Sequence, residues 1–208
     1  MKKLLQALDQ NHTEIVNYET IKSLLEEEIS FSALELTDGQ GNTAFLKACG
    51  IPGAVEIVEL LCDYGCNVHA INKQKDGAVC IAGGFGDSDI IEFLVRQKQL
   101  SIEELGQNKR TPAMKACSRK GNLECLKKLI EIGIKSDFGV NLKKKDVDDM
   151  SCINLASKLG DVAMVEFLVG CKIDGVCQID YEELGFNGRT PFLNACSEKH
   201  NVDSSFEN

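Results

Sequence analysis

The chain has 208 residues, with 23 Lys and Arg against 32 Asp and Glu, a formal charge of −9. That balance repels phosphate backbones and excludes general nucleic-acid binding. No apolar run reaches the roughly 18 residues of a membrane span, and an ordinary apolar content of 43% sets the chain apart from disordered polymers.

Residues 1–10 are two lysines and a leucine-rich stretch broken by Gln6 and Asp9. The stretch is too short and too polar for a signal-peptide core, so it predicts an amphipathic helix in a cytoplasmic protein. Apolar residues at helical spacing (Leu4, Leu5, Leu8, then Ile21, Leu24, Leu25) precede Glu26, Glu27 and Glu28. Residues 1–35 therefore predict an N-terminal helical cap, one face packed and one wet.

From there one motif returns: Thr43-Ala-Phe-Leu-Lys-Ala-Cys49, Thr111-Pro-Ala-Met-Lys-Ala-Cys117 and Thr190-Pro-Phe-Leu-Asn-Ala-Cys196. Weaker copies are Gly77-Ala-Val-Cys-Ile-Ala-Gly83 and Ser151-Cys-Ile-Asn-Leu-Ala-Ser157. The starts at 43, 77, 111, 151 and 190 are separated by 34, 34, 40 and 39 residues. Such a period marks a solenoid whose units bury their apolar faces on one another, and so one elongated domain. The units divide as 36–75, 76–108, 109–147, 148–186 and a partial fifth at 187–208.

Within a unit the grammar is that of a helical hairpin. Thr111 predicts an N-cap and Pro112 the first helical position, with the helix running to about Arg119. Gly121 predicts the turn between helices, Leu123, Leu126, Leu129 and Ile130 one apolar face, and Gly133 the end of the second helix. The recurring alanines Ala48, Ala82, Ala116, Ala156 and Ala195 predict close helix–helix approach. The distance from motif start to the separating residue alternates between 10 and 9. Odd units are thus expected to have a first helix or inter-helix turn longer by one residue. Ile102-Glu-Glu-Leu-Gly106 returns as Tyr181-Glu-Glu-Leu-Gly185 before the next odd unit, which makes the larger period two units.

These residues resemble the ankyrin-repeat family, whose pattern runs Thr-Pro-Leu-His-x-Ala-Ala, Gly, an apolar helix, then Gly-Ala-Asp-Val-Asn. Tyr64-Gly65-Cys66-Asn67-Val68-His69 is close to that last element, and the resemblance covers roughly residues 36–201. It implies an all-α ankyrin-repeat helical solenoid with short connectors, about five repeats, the last incomplete. The family's histidine is replaced by Leu46, Cys80, Met114, Asn154 and Leu193, so apolar packing is expected where the family uses an inter-repeat polar network.

Ten cysteines are present. Cys49, Cys117 and Cys196 share one motif position; Cys62 aligns with Val95, Ile130 and Val169, and Cys66 with Ile134, Ile173 and Gln99. The aligned Val and Ile predict core thiols rather than metal ligands, and no second Cys or His pair stands at zinc spacing. Gly83-Gly-Phe-Gly86 falls in a predicted helix and lacks the third glycine of a dinucleotide fingerprint. His12, His69 and His200 form no catalytic set, and Glu103–Glu104 and Glu182–Glu183 occupy equivalent connector sites that favour structural or surface roles. No enzyme, cofactor or metal is expected.

By the family resemblance, first helices and connector tips line a concave protein-binding face. The candidate contacts are Asp38, Gln40, Asn42, Lys47, Lys73, Asp76, Lys109, Arg110, Lys115, Arg119, Asp148, Asp149, Asn187 and Arg189. The expected function is a non-catalytic protein–protein interaction scaffold or adaptor. A regulatory ankyrin fragment of a larger enzyme or channel is the alternative, because residues 202–208 lack the spacing of a second helix. The long connectors with Lys143-Lys-Lys145 and Asp146-Val-Asp-Asp149 suit either a binding loop or a solvated one. A monomer is expected, or a dimer through the uncapped C-terminal repeat, with fraying after about residue 197.

Overall fold

The computed structural model describes residues 2–9, 17–27, 34–135, 139–173, 176–177, 179–180, 182 and 184–197. Helices α1 (Lys2–Asp9) and α2 (Tyr18–Glu26) come first. The Asn17 side chain accepts from the Glu19 N–H at 2.9 Å and starts α2. Four helical hairpins follow: α3 (Ala44–Cys49) with α4 (Val55–Asp63), and α5 (Ala78–Phe85) with α6 (Ser88–Glu92), which widens into a π turn over Phe93–Gln97. Then come α7 (Pro112–Cys117) with α8 (Leu123–Lys135), and α9 (Cys152–Leu159) with α10 (Val162–Gly170). A lone first helix, α11 (Pro191–Ser197), ends the described chain.

First helices stack as one layer, α3 on α5 on α7 on α9 on α11, and the second helices α4, α6 and α8 stack as another. Helix α1 lies on α3 and α2 on α4. A small antiparallel pair, β1 (Lys172–Ile173) with β2 (Val176–Cys177), sits after α10. One apolar core runs continuously from Leu4 to Ile179. Ala48, Ala82, Ala116 and Ala156 are all at 0% exposure, which is why the motif tolerates only a small residue there.

The helix starts follow the sequence. Thr43, Thr111 and Thr190 each accept from the N–H three residues on, at 3.3, 3.3 and 3.4 Å. The helix ends differ from expectation. Helix α7 stops at Cys117, short of Arg119. Helix α8 runs through Gly133 to Lys135. Gly133 is small because the following connector crosses it: a Cβ there would stand 2.6 Å from Val140 Cγ2.

The two-unit period has a structural cause. The first helices of the first and third units have six residues and those of the second and fourth eight, so the extra residue of these odd units lies in the turn. That turn holds Gly53 and Gly121 at φ +79 and +83, where a side chain would be strained. The Gly53 N–H donates to Asp87 of the next unit at 2.6 Å, and the Gly121 N–H to Asp161 at 3.2 Å. Asp87 and Asp161 also cap α6 and α10. One aspartate of each even unit therefore starts its own helix and closes the preceding turn.

The cysteines divide. Cys49, Cys66, Cys80, Cys117, Cys125, Cys152 and Cys171 are buried, Cys62 is half-buried and Cys196 exposed. The expectation of core positions fails at two aligned sites, where Val169 and Ile134 are 40% and 56% exposed. Both fall on the outer side of their second helices. The expected fraying after residue 197 lies outside the described residues.

Candidate functional site

The position five before each motif start organises the connector tip. Asp38, Asn72 and Asp146 each fold a side-chain oxygen back onto two local N–H groups: Gln40 and Asn42, Gln74 and Asp76, Asp148 and Met150, at 2.8–3.0 Å. In the third unit this position is Gly106, and a carboxylate from the second unit takes over. Asp76 Oδ1 accepts from the Gln107 N–H at 2.7 Å, in space a Cβ on Gly106 would fill.

Tips are then joined across repeats. Asn72 Nδ2 donates to Asn42 Oδ1 at 2.9 Å, Lys115 Nζ pairs with Asp76 Oδ2 at 2.8 Å, and Arg110 Nε pairs with Asp146 Oδ2 at 2.8 Å. Deeper in the stack, Asn194 Nδ2 donates to Asn154 Oδ1 at 2.8 Å. The expectation of apolar packing in place of the histidine network holds at Leu46 and Met114, which are buried, and is corrected at Asn154, whose bond to Asn194 belongs to a polar ladder otherwise carried by other positions. The same economy explains Glu104. Helix α5 begins at Gly77, which has no side chain to cap it, and Glu104 Oε1 from the next connector accepts the Cys80 N–H at 2.5 Å. Burial raises the Glu104 pKa, the Cys80 N–H works against that, and the Asp76 charge adds to the rise. Glu103 accepts the Asn141 N–H at 3.0 Å and pairs with Lys144 at 2.6 Å. Glu183 lies outside the described residues.

Beside the ladder, the first three units, with Leu8, Asn17 and Tyr18 of the N-terminal segment, line an open groove of about 1620 Å³. Its floor is Leu46, Lys47 and Gly50 of the first unit, Cys80, Ile81, Gly84 and Phe85 of the second, and Lys115, Ser118 and Arg119 of the third. The tips form one rim, and the turn from Ile51 to Ala54 with Glu56 and Ile57 of α4 the other. Eight of the fourteen candidate residues line it: Asp38, Gln40, Asn42, Lys47, Asp76, Arg110, Lys115 and Arg119. Lys73, Lys109, Asp148, Asp149, Asn187 and Arg189 are exposed outside it.

Most lining charges neutralise one another. Lys47 pairs with Asp38 at 3.3 Å. Burial pushes the Asp38 pKa up, but hydrogen bonds from Asn42, Gln40 and Lys47 outweigh it and hold the carboxyl below its usual value. Asp76–Lys115 and Arg110–Asp146 complete the set, which leaves the exposed Arg119 and Glu56. The Arg119 guanidinium donates to the Gly84 carbonyl at 3.1 Å and lies over the Phe85 ring at 4.5 Å. Phe85 is itself 41% exposed. Sequence reasoning missed Phe85 and Ile51, because nothing in the repeat pattern singles them out. Among the described residues no group of three or more His, Cys, Asp or Glu is placed to hold a metal ion, and no helix is long and apolar enough to cross a membrane.

Stacked helical hairpins, threonine caps and a rim of linked tips agree with comparison to known proteins. The description of ankyrin repeats in three copies matches residues 78–180, and that of a single ankyrin repeat matches residues 40–73. The chain belongs to the ankyrin-repeat family. A relative from Drosophila melanogaster, named DNA replication inhibitor plutonium, is 32% identical over 81 residues. That stretch is 39% of this chain and 45% of the fly protein, so the chain spans less than half of that relative's length. Ankyrin repeats generally mediate protein–protein interaction, and the family is typically non-catalytic.

Proposed function

We propose that the chain is a non-catalytic adaptor that grips a partner protein in the groove across its first three repeats. The observation that carries this reading is the charge pattern of the groove. Its other charges are spent on ion pairs, and what remains is an apolar strip of Ile51, Ile81 and Phe85, with the cation Arg119 over Phe85 and the carboxylate Glu56 on the opposite rim. Such a surface suits a segment with an apolar anchor and an adjacent carboxylate. The fly relative's name suggests control of DNA replication as a setting. A charge of −9 favours acting there on a protein rather than on DNA. Buried free thiols fit a reducing, cytoplasmic location.

The test is affinity capture with the full chain and with the Phe85→Ala, Arg119→Glu double variant, read by quantitative mass spectrometry. Both side chains are exposed, so the variant keeps the fold. Partners held by the native chain are expected to be lost. Equal recovery by both would overturn the groove as the contact site.

A further inference from the structure

Ile71, Leu105 and Leu184 occupy the same place in their repeats, six residues before the motif start, and are 64%, 54% and 55% exposed. In the fourth repeat that place is Lys145, and Val147, 55% exposed, stands two residues on. The Val147 N–H donates to the Asn108 carbonyl of the third tip at 3.0 Å, and Lys145 Nζ donates to the Leu184 carbonyl at 2.8 Å. These bonds tie the third, fourth and fifth tips into one edge. Single exposed aliphatics are ordinary on a protein surface, but three of the five repeats carry one at the equivalent place, with Val147 two residues from it in the fourth and Thr37 there in the first, which is not scatter.

Charge runs with the row. The tips at 71–75, 105–109 and 143–149 expose Lys73, Lys75, Lys109, Lys143 and Lys145 against Asp148 and Asp149. On a chain of net charge −9 this edge is locally cationic. We propose that the aliphatic edge of the connector tips, whose Ile71, Leu105, Val147 and Leu184 lie outside the groove that the tips also border, forms a second contact line that takes an acidic amphipathic helix of a partner protein. Spacing selects a helix over a strand. Packed helices lie about 8–10 Å apart, which sets the step between tips. Seven residues of α-helix rise about 10.5 Å and return to nearly the same face. A strand covers that step in about three residues, and its side chains then point to opposite faces. The occupant therefore carries apolar residues every seventh position, with carboxylates alongside to meet the lysines. This rests on the reading that the chain binds proteins, not on the groove.

The probe is a labelled synthetic peptide of about four heptads with leucine at every seventh position and flanking glutamates. One matched peptide has the leucines respaced, and another has lysine for glutamate. Fluorescence anisotropy with the full chain at about 50 mM salt keeps the charges lightly screened. The acidic heptad peptide is expected to bind, and Leu105→Asp to weaken it about tenfold or more. Lys75→Glu with Lys109→Glu should turn the preference toward the lysine peptide, while Phe85→Ala with Arg119→Glu should change nothing. Circular dichroism confirms that each variant is folded. Equal binding of the respaced peptide, or no binding up to about 1 mM, would overturn the proposal. So would tips that hold a second copy instead, seen as a dimer in sedimentation that Leu105→Asp dissolves without any peptide binding. Loss through the Phe85 and Arg119 changes alone would overturn the tip line and leave the groove standing.

Discussion

Substituting Gly77 and Glu104 singly and together isolates the borrowed cap of helix α5. Glu104→Ala leaves the Cys80 N–H without its 2.5 Å acceptor. Loss of an N-cap acceptor costs about 1 kcal/mol. With a urea slope of about 2 kcal/mol per molar, the midpoint falls by about 0.5 M. Gly77→Thr restores the threonine of the first, third and fifth repeats, and the backbone there, φ −91, accepts any residue. Its Cβ, however, would lie 2.7 Å from Glu104 Oε2, so threonine and glutamate compete for one place. In the double variant the threonine has the space and serves the same amide, as Thr43 serves Leu46. The double variant should recover most of the loss, with a coupling of about 1 kcal/mol between the sites. Urea titrations followed by circular dichroism measure all four proteins. Costs that simply add would refute the idea of two alternative acceptors for one N–H.

Three further outcomes follow from the same contacts. Arg110→Ala strands the fully buried Asp146 carboxylate and should cost about 1.5–3 kcal/mol in urea, whereas the neighbouring exposed Lys109→Ala should stay within about 0.5 kcal/mol; equal effects would remove the ladder's structural role. Ala116→Leu should cost about 1–3 kcal/mol by overpacking, and more than Ala113→Leu, since Phe45, Val79 and Ile153 show that the equivalent of Ala113 takes larger chains; the reverse order would refute the assignment of the small position. Glu104 has a folded pKa raised above its ordinary 4.5, chiefly by burial. Its contribution is therefore fully present below about pH 4.5 and is lost as pH rises through the raised value. The native chain should lose stability relative to Glu104→Gln on going from pH 4.5 toward neutrality, and a relative gain would reverse the assigned shift.

What could be read in the sequence was local or repeated. Thr43, Thr111 and Thr190 announce helix starts because a cap bond spans three residues. Ala48 through Ala156 announce close packing because each sits in the same environment. The polar ladder was not legible as structure. Asp76 meets Lys115 at a separation of 39 residues, and Glu104 meets Cys80 at 24, so each partner is fixed only once the repeats stack. That is also why Asp76, Arg110 and Lys115 read as solvent-facing contacts: their polarity was visible and their partners were not. Ile71, Leu105 and Leu184 were within reach, since aligning the connectors by motif start brings three aliphatics into register. Phe85 was not, because its exposure depends on where α5 ends.

The Gly53–Asp87 and Gly121–Asp161 bonds give the array a parity. The joint from an odd repeat to an even one is made by a turn amide and an aspartate. The joint from the second repeat to the third is made instead by Asn122 reaching the Gly83 and Gly84 carbonyls, and by the Glu104 cap. A repeat therefore has unlike plugs on its two sides. Excising the second repeat alone would leave the Gly53 N–H without its aspartate, while excising the second and third together would set Gly53 before Asp161, the same kind of joint. The odd-to-even joint therefore recurs only every second repeat, and the pair is the unit that reproduces it.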